Sequence, residues 1–237
     1  MNHKVLVIIP AYNEEQTVGT IVKSTINLHP DFEVVVINDG SDDKTVQNSE
    51  KAGAGVVSLP FHCGGGAAIQ AGYLLSARQG FDYTIKLDAD GQHRSEDIVE
   101  LLAPLLKDEA DITIGSRYLE KNAEKDSAVK TGGRFFSSTL VSMLRKMEVT
   151  DITSGMRAWN RNAINALLSR YTERRVVEDS VFWVVETLLA SRIGLRMKEV
   201  SIQVLPRIHG KSKSFSNVKM LMFPLRLITT LIQEAEI

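Results

Sequence analysis

Two carboxylates, Asp88 and Asp90, stand on either side of one alanine, directly after the apolar stretch 81–85. If a strand continues to that point, both side chains leave on the same face and repel each other unless a cation lies beside them. Oxygen ligands in an incomplete set suit Mg²⁺ or Mn²⁺, and Gln92 can add an amide oxygen. The alternatives are an acid–base pair or a solvated turn in which Gly91 takes a positive φ.

A glycine-rich stretch, "HCGGGAA" at 62–68, precedes a segment with helical spacing. Glycines before a helix N-terminus expose backbone N–H groups to an anion such as phosphate, which makes Gly66 a candidate for binding a phosphorylated ligand. The spacing does not match a dinucleotide-binding fingerprint. Tight packing is the alternative explanation for these glycines.

A basic loop near the C-terminus contains Arg207, His209, Lys211 and Lys213. Arginine offers a bidentate fork and lysine a mobile charge, so this loop is a candidate phosphate clamp, although such runs are commonly solvated loops. A carboxylate pair that holds a metal and a basic loop are together the two halves of a diphosphate site.

The second half of the chain supplies three further acids, Asp151, Glu178 and Asp179. If one faces the cleft, it can act as a general base or orient an acceptor. For Asp151 and Asp179 the ordinary alternative is a cap at a helix N-terminus. Sequence spacing does not choose between these roles.

The elements that must position these residues are strands that alternate with amphipathic helices. This alternation predicts right-handed crossovers and a doubly wound α/β fold with a mostly parallel sheet, whose ligands bind outside the carboxyl ends of the strands. Polar residues follow each of the first five predicted strands, which indicates one shared cleft. The predicted strands lie within residues 4–10, 33–39, 55–60, 83–88, 111–116 and 198–205.

The composition narrows the class of protein. The chain has 237 residues, 43% of them hydrophobic, which permits a sizeable core. The formal net charge of -1 gives no basic field for nucleic acid, and the single Cys63 is typical of a reducing compartment. We find no apolar stretch of the roughly 20 residues that a membrane-spanning helix requires. The expected location is therefore the cytoplasm.

Seven motifs taken in order resemble inverting glycosyltransferase family 2. Within that family the order is that of the polyprenyl-phosphate sugar transferases, which include dolichol-phosphate mannose synthase, and the resemblance runs from about residue 5 to residue 215. The motifs are "IPAYNEE", "VVINDGSDDKT", "GGGAAIQAG", "LDADGQH", "IGSRY", "DITSGMRAW" and "PRIHGKSK". The family often has Asn where this chain has His62.

The resemblance implies a GT-A, Rossmann-like α/β/α sandwich, a UDP-linked or other nucleotide-sugar donor, Mg²⁺ or Mn²⁺, and inversion at the anomeric carbon. It also assigns roles to matching residues. Those that would line the nucleoside pocket are Pro10, Tyr12, Glu14 and Asp39, and those that would hold the metal are Asp88, Asp90 and Gln92. Those that would meet the diphosphate or the acceptor phosphate are Arg117, Arg207 and Lys213, and Asp151 is the leading catalytic candidate.

The reaction implied by the resemblance is transfer of a sugar to a polyprenyl phosphate or a cell-surface glycan. An acceptor phosphate is already ionised near neutral pH and needs orientation, whereas a sugar hydroxyl needs a base. A nucleotidyltransferase and a non-catalytic subunit that binds nucleotide-sugars are the alternatives.

The expected organisation is one domain in two halves with a tail. Residues 1–115 form the half that binds the nucleotide-sugar, residues 116–215 the acceptor and catalytic half, and residues 216–237 an apolar helical tail. That tail can lie on the inner face of the membrane as an interfacial helix, pack on the domain, or form a contact in a homo-oligomer.

Overall fold

The computed structural model of the protein describes residues 3–119, 149–171 and 182–207. Seven strands of this part form one sheet in the order β3-β2-β1-β4-β6-β5-β7. Their bounds are β1 Val5–Ala11, β2 Glu33–Asn38, β3 Gly55–Ser58, β4 Tyr83–Lys86, β5 Ile112–Ser116, β6 Arg157–Asn160 and β7 Met197–Ser201. The predicted mixed α/β fold with a mostly parallel sheet is therefore confirmed.

Strands β1 and β2 are formed by continuous apolar runs. Ile8 of β1 and Ile37 of β2 are both fully buried, because helices cover the sheet on its two faces. β1 pairs in parallel with β2 and with β4, and β2 pairs in parallel with β3. The carboxyl ends of these four strands consequently meet at one edge, where their following loops can form a site.

The helices lie in two layers. The helix bounds are α1 Val18–Leu28, α2 Thr45–Lys51, α3 Gly65–Gln79, α4 Ile98–Leu106, α5 Arg161–Tyr171 and α6 Phe182–Arg192, and a 3₁₀ turn spans Ser95–Asp97. Residues of α3, α5 and α6 share one hydrophobic core, while those of α1 and α4 share the core on the other side. This gives the α/β/α layering that the sequence predicts.

The strand β6 is a feature that the sequence analysis does not predict. It runs antiparallel between β4 and β5, so that Ile85 faces Ala158 and Thr113 faces the same Ala158 on the other side. Because β6 follows the segment that contains Asp151, the alternative role of Asp151 as a helix cap is wrong. A strand of four residues that starts with a charged side chain carries almost no sequence pattern.

Across the residues that the structure describes, no helix is both long and apolar enough to cross a membrane. The tail 216–237 lies outside the described residues, as do Glu178, Asp179, His209, Lys211 and Lys213.

Candidate active site

Asp88 lies in a loop, since β4 ends at Lys86. One carboxylate oxygen of Asp88 contacts the Nζ of Lys86, and the other lies 2.7 Å from Nδ1 of His93. Burial raises the pKa of the Asp88 carboxyl, but the nearby charges of Lys86 and His93 outweigh this, so that the pKa is well below its usual range. Asp88 is therefore a carboxylate at neutral pH.

Asp90 is nearly buried and pairs with a cation from the other end of the chain. Its Oδ2 lies 2.7 Å from Nη2 of Arg207, and its Oδ1 accepts the backbone N–H of Gln92 at 3.0 Å. The same Arg207 nitrogen donates to the side-chain oxygen of Gln92 at 3.3 Å. Gly91, between the two acceptors, has φ of +76°, as a turn requires. The structure thus brings Asp90, Gln92 and Arg207 together.

A short antiparallel contact explains how the basic segment reaches this loop. His93 bridges to Val204, and the backbone N–H of Leu205 donates to the carbonyl of Gln92 at 2.8 Å. Residues 204–207 are consequently laid along residues 90–93. The remaining basic residues of the predicted clamp lie outside the described residues.

The side chains at this loop fit a hard divalent cation. Asp88, Asp90 and Gln92 offer only oxygen donors, which Mg²⁺ and Mn²⁺ prefer, and such ions commonly complete their coordination with water and phosphate oxygens. Within the described residues no cluster of three or more His, Cys, Asp or Glu side chains has metal-binding geometry. Asp88, Asp90 and Gln92 are therefore candidate metal ligands that do not make up a full coordination set by themselves.

Asp151 and Arg117 form a second pair at the end of β5. Nε and Nη2 of Arg117 each donate at 2.5 Å to a different oxygen of Asp151, whose side chain is 0% exposed, while that of Arg117 is 25% exposed. Glu199 of β7 holds the backbone of this segment by accepting the N–H groups of Thr150 and Asp151. The guanidinium rather than the carboxylate is thus the group that faces outward.

A third pair, Arg157 with Glu186, is sealed in the core at 0% exposure of both side chains. Arg157 donates to the carbonyls of Ile152 at 2.7 Å and Ser154 at 3.0 Å, which fixes the turn that carries Asp151. Glu186 lies 3.3 Å from Arg157 and accepts from the hydroxyl of Tyr73 at 2.6 Å. This buried network therefore holds in place the turn that carries Asp151.

Burial governs the ionisation of the sealed pair. Loss of hydration raises the pKa of Glu186 and lowers the pKa of Arg157, although each is partly offset by the charge of its partner. The hydroxyl of Tyr73 has a raised pKa because it is buried and lies beside Glu186. Sequence reasoning missed this network, because no pattern marks a carboxylate in α6 as a partner for an arginine 29 residues earlier.

At Gly155 the same turn packs against Lys86 and the loop that carries Asp88. A Cβ at this position would lie 2.7 Å from Nζ of Lys86 and 3.4 Å from Oδ2 of Asp88. Lys86 is 5% exposed, and its ammonium lies over the ring of Trp183 at 5.4 Å. A side chain at position 155 would therefore displace the ammonium of Lys86 from its present position.

Asp39 organises the glycine-rich loop. This carboxylate is 2% exposed, and it accepts the backbone N–H groups of Cys63 at 2.7 Å and Gly64 at 2.9 Å. Nδ1 of His62 lies 2.8 Å from the same carboxylate. Gly66 follows in the first turn of α3 and is buried. Asp39 thus connects the end of β2 to the start of α3.

The loop after β1 holds the other residues predicted to line a nucleoside pocket. Tyr12 stacks on His62 with ring centroids 3.8 Å apart and an angle of 16° between the planes. The backbone N–H of Glu14 donates to Oγ1 of Thr45 at 2.8 Å, and Pro10 lies in β1 opposite Ile37. The structure therefore places Tyr12 beside Asp39 through His62, a residue that received no role from the sequence.

Comparisons with known proteins show the family to which the chain belongs. The model of the family described as "Glycosyl transferase family 2" matches residues 6–168. Undecaprenyl-phosphate mannosyltransferase of Micrococcus luteus is 29% identical over 89% of this chain and 87% of its own length. Polyprenol monophosphomannose synthase of Mycolicibacterium smegmatis is 30% identical over 93% of this chain and 84% of its own length.

A solved structure with the same fold is glucosyl-3-phosphoglycerate synthase from Mycobacterium tuberculosis in complex with Mn²⁺ and uridine-diphosphate-glucose. Its TM-score is 0.73 at 20% identity, over 99% of this chain and 80% of the other. At that identity the likeness concerns the fold, and it agrees with the predicted GT-A architecture.

Proposed function

The chain belongs to glycosyl transferase family 2, and from that premise we propose that it moves a sugar from a nucleotide-sugar, UDP-linked, to a polyprenyl phosphate with inversion at the anomeric carbon. The observation that carries the proposal is the meeting of Asp90, Gln92 and Arg207 at the carboxyl end of β4. Carboxylates that hold a cation and a guanidinium beside them are what a diphosphate requires. The names of the relatives from Micrococcus luteus and Mycolicibacterium smegmatis support a polyprenyl acceptor.

The donor half of the reaction concerns the departing nucleoside diphosphate. This group gains negative charge as the bond between sugar and oxygen breaks. We propose that Arg207, which is 21% exposed and pairs with Asp90, turns from Asp90 toward the phosphate as that charge develops. We propose Asp88, Asp90 and Gln92 as the ligands of Mg²⁺ or Mn²⁺, which when bound supplies Lewis-acid stabilisation of the leaving group. Lys213 remains a proposed phosphate contact.

The acceptor half needs orientation more than a base. A polyprenyl phosphate is ionised at neutral pH, so its oxygen can attack without losing a proton. Arg117, whose position is fixed by two hydrogen bonds that it donates to Asp151, offers a partly exposed guanidinium to hold that phosphate. We therefore propose Asp151 as the residue that positions Arg117, and we keep Glu178 and Asp179 as candidates for a base if the acceptor is a glycan hydroxyl.

The proposed place of action is the inner face of the membrane. The acceptor's lipid tail requires a membrane surface, and the apolar tail 216–237 is the proposed contact with it. This tail carries Lys219 and Arg226 among apolar residues, as interfacial segments do. A subunit contact made by the same tail is the alternative.

The test is a transfer assay with detergent-solubilised undecaprenyl phosphate and a panel of UDP- and GDP-linked sugars, each with Mn²⁺ or with a chelator. The expected result is Mn²⁺-dependent release of a nucleoside diphosphate together with a lipid-linked sugar, detected by mass spectrometry. Asp90→Asn should lose both products while its circular dichroism spectrum stays that of the wild type. Equal turnover by Asp90→Asn would exclude the proposed metal site.

The products also separate the alternatives. Release of pyrophosphate would identify a nucleotidyltransferase on the same fold. Donor binding without turnover across lipid, glycan and 3-phosphoglycerate acceptors would indicate a non-catalytic subunit. Transfer to 3-phosphoglycerate alone would exclude the polyprenyl acceptor. The product would then be of the kind named for the structural relative from Mycobacterium tuberculosis, a glycosylated 3-phosphoglycerate.

A further inference from the structure

His62 lies between two residues for which family resemblance implies a role in the nucleoside pocket. Its ring stacks on Tyr12 at 3.8 Å, and its Nδ1 lies 2.8 Å from Oδ2 of Asp39. The imidazole is still 49% exposed. Since one ring face is covered by Tyr12, the exposed part includes the opposite face, which is an aromatic surface open to a ligand.

The loop that carries His62 is held firmly. Asp39 accepts the backbone N–H groups of both Cys63 and Gly64, in addition to its contact with the imidazole. Gly40, at φ of +71°, packs so closely that a Cβ there would lie 2.5 Å from the carbonyl carbon of Phe61 and 2.6 Å from the backbone nitrogen of His62. The position of the His62 ring over Tyr12 is therefore fixed by the contacts of its loop.

These contacts also limit what Tyr12 and Asp39 can do directly. One face of the Tyr12 ring is occupied by the imidazole, and the Asp39 carboxylate has three donors from the loop. A planar ligand can stack on His62 without breaking any of these contacts, whereas insertion between His62 and Tyr12 would separate the stack and strain the contact with Asp39. Bases stack well on aromatic side chains whatever their sequence identity.

We propose that His62 is the residue on which the donor's nucleobase stacks, with Tyr12 behind it and Asp39 holding its ring. This assignment deepens the proposed function and rests on it, because it concerns the nucleoside of the donor. It assigns the contact with the base to a residue that is often Asn in the family.

The test is isothermal titration calorimetry of the full chain with UDP, GDP, CDP, ADP and inorganic pyrophosphate, each with Mn²⁺. His62→Ala should weaken binding of the preferred nucleoside diphosphate by at least about 5-fold, the lower range for loss of one base–aromatic stack. Pyrophosphate lacks a base, so its affinity should not change. His62→Phe should keep nucleotide affinity within about 3-fold, since it keeps a stacking ring.

A matched control is His29→Ala. His29 also stacks on an aromatic ring, that of Phe32, and it contacts the backbone oxygen of Ser95. Its removal should leave UDP and pyrophosphate binding as in the wild type. Thermal unfolding of each variant checks that the loop change has not unfolded the protein.

Four results would overturn the assignment. Tighter nucleotide binding by His62→Ala would mean that the imidazole blocks the pocket, and unchanged binding would mean that the base does not touch it. Equal weakening of UDP and pyrophosphate would mean that His62 acts on the loop and not on the base. If the wild type binds none of the nucleoside diphosphates, the proposed donor falls and His62 loses its role with it.

Discussion

Two arginine–carboxylate pairs include the two ends of the segment 151–157, and they differ in their access to solvent. Arg157 and Glu186 are sealed at 0% exposure, whereas Arg117 is 25% exposed over a buried Asp151. Both side chains of the sealed pair have lost their hydration, so the role of this pair is structural. In the pair of Arg117 and Asp151, which we call the open pair, the carboxylate is buried and the guanidinium is partly exposed to solvent. We therefore propose that the same chemistry serves as a scaffold at Arg157 and Glu186 and as a ligand contact at Arg117.

The largest expected effect comes from breaking the sealed pair. Glu186→Ala leaves the Arg157 guanidinium buried without a carboxylate, which should cost about 3–5 kcal/mol in the free energy of unfolding. Asp151→Ala leaves Arg117, which water can reach, and should cost less than about 2 kcal/mol. Urea denaturation of both variants makes the measurement, with Glu186→Gln as the control that keeps an acceptor. Equal losses in the two alanine variants would remove the distinction between the pairs.

The open pair should matter for turnover instead. Arg117→Met should lower kcat/KM for the acceptor phosphate by about 10²–10³-fold, the usual effect of removing one charge-stabilising donor, while the midpoint of thermal unfolding changes little. Steady-state kinetics at varied acceptor concentration measures this. Arg161→Met is the control, because Arg161 pairs with Asp82 at the surface at 2.9 Å. A loss of activity that follows a loss of stability would show that Arg117 is only structural.

A smaller effect is expected at Gly155, where the segment meets Lys86 and Asp88. Gly155→Ala would place a Cβ 2.7 Å from Nζ of Lys86. Overpacking of this kind costs about 1–3 kcal/mol, and the displaced ammonium should also weaken Mn²⁺-dependent donor binding. Calorimetry with UDP and Mn²⁺ measures the second effect. Gly19→Ala, where a Cβ would meet ordinary contacts of 3.4 Å or more, should leave donor binding unchanged.

The smallest effect belongs to an arginine–carboxylate pair at the surface. Arg196 is 49% exposed, so Arg196→Met should lower the free energy of unfolding least among these variants. Hydrogen bonds from Arg196 are the main cause that lowers the pKa of Asp111 from 3.8 to about 2, although burial opposes the shift. Because the folded pKa is the lower one, this stability is present above pH 3.8 and is lost as the pH falls toward 2.

Unfolding midpoints measured between pH 2 and 7 check the surface pair. The wild type and Arg196→Met should differ by a constant amount above pH 5 and converge below pH 3. A difference as large as that produced by Glu186→Ala would contradict the ranking by exposure.

The parts of the fold that can be predicted from sequence are those with long apolar runs. β1 and β2 are buried on both faces, so their runs of β-branched residues are conspicuous. β6 is not predictable in this way, because it is four residues long and its place between β4 and β5 depends on pairing with strands far away in the sequence. The alternation of strands and helices that predicts a parallel sheet is visible along the sequence. The antiparallel insertion of β6 depends on contacts that form only in the folded chain.

The site divides along the same line. Asp88, Asp90 and Arg207 can be singled out, because charged residues at strand ends are visible in the sequence. The roles of His62, Lys86 and Glu186 cannot, since each depends on a partner that the folded chain brings near. Glu186 in particular lies within an apolar helical stretch, and its contact with Arg157 is a property of the packed core.

The central claim is that Asp90 and its neighbours form a metal-dependent site for a nucleotide-sugar. The most direct measurement is the midpoint of thermal unfolding of the wild type and Asp90→Asn with UDP-glucose, UDP-N-acetylglucosamine or GDP-mannose, each with and without Mn²⁺. A bound ligand raises the midpoint according to its concentration relative to its dissociation constant. We expect one donor and Mn²⁺ together to stabilise the wild type by more than the sum of their separate effects, and Asp90→Asn to lose that excess. The same excess in Asp90→Asn, or stabilisation of the wild type that does not depend on Mn²⁺, would contradict the claim.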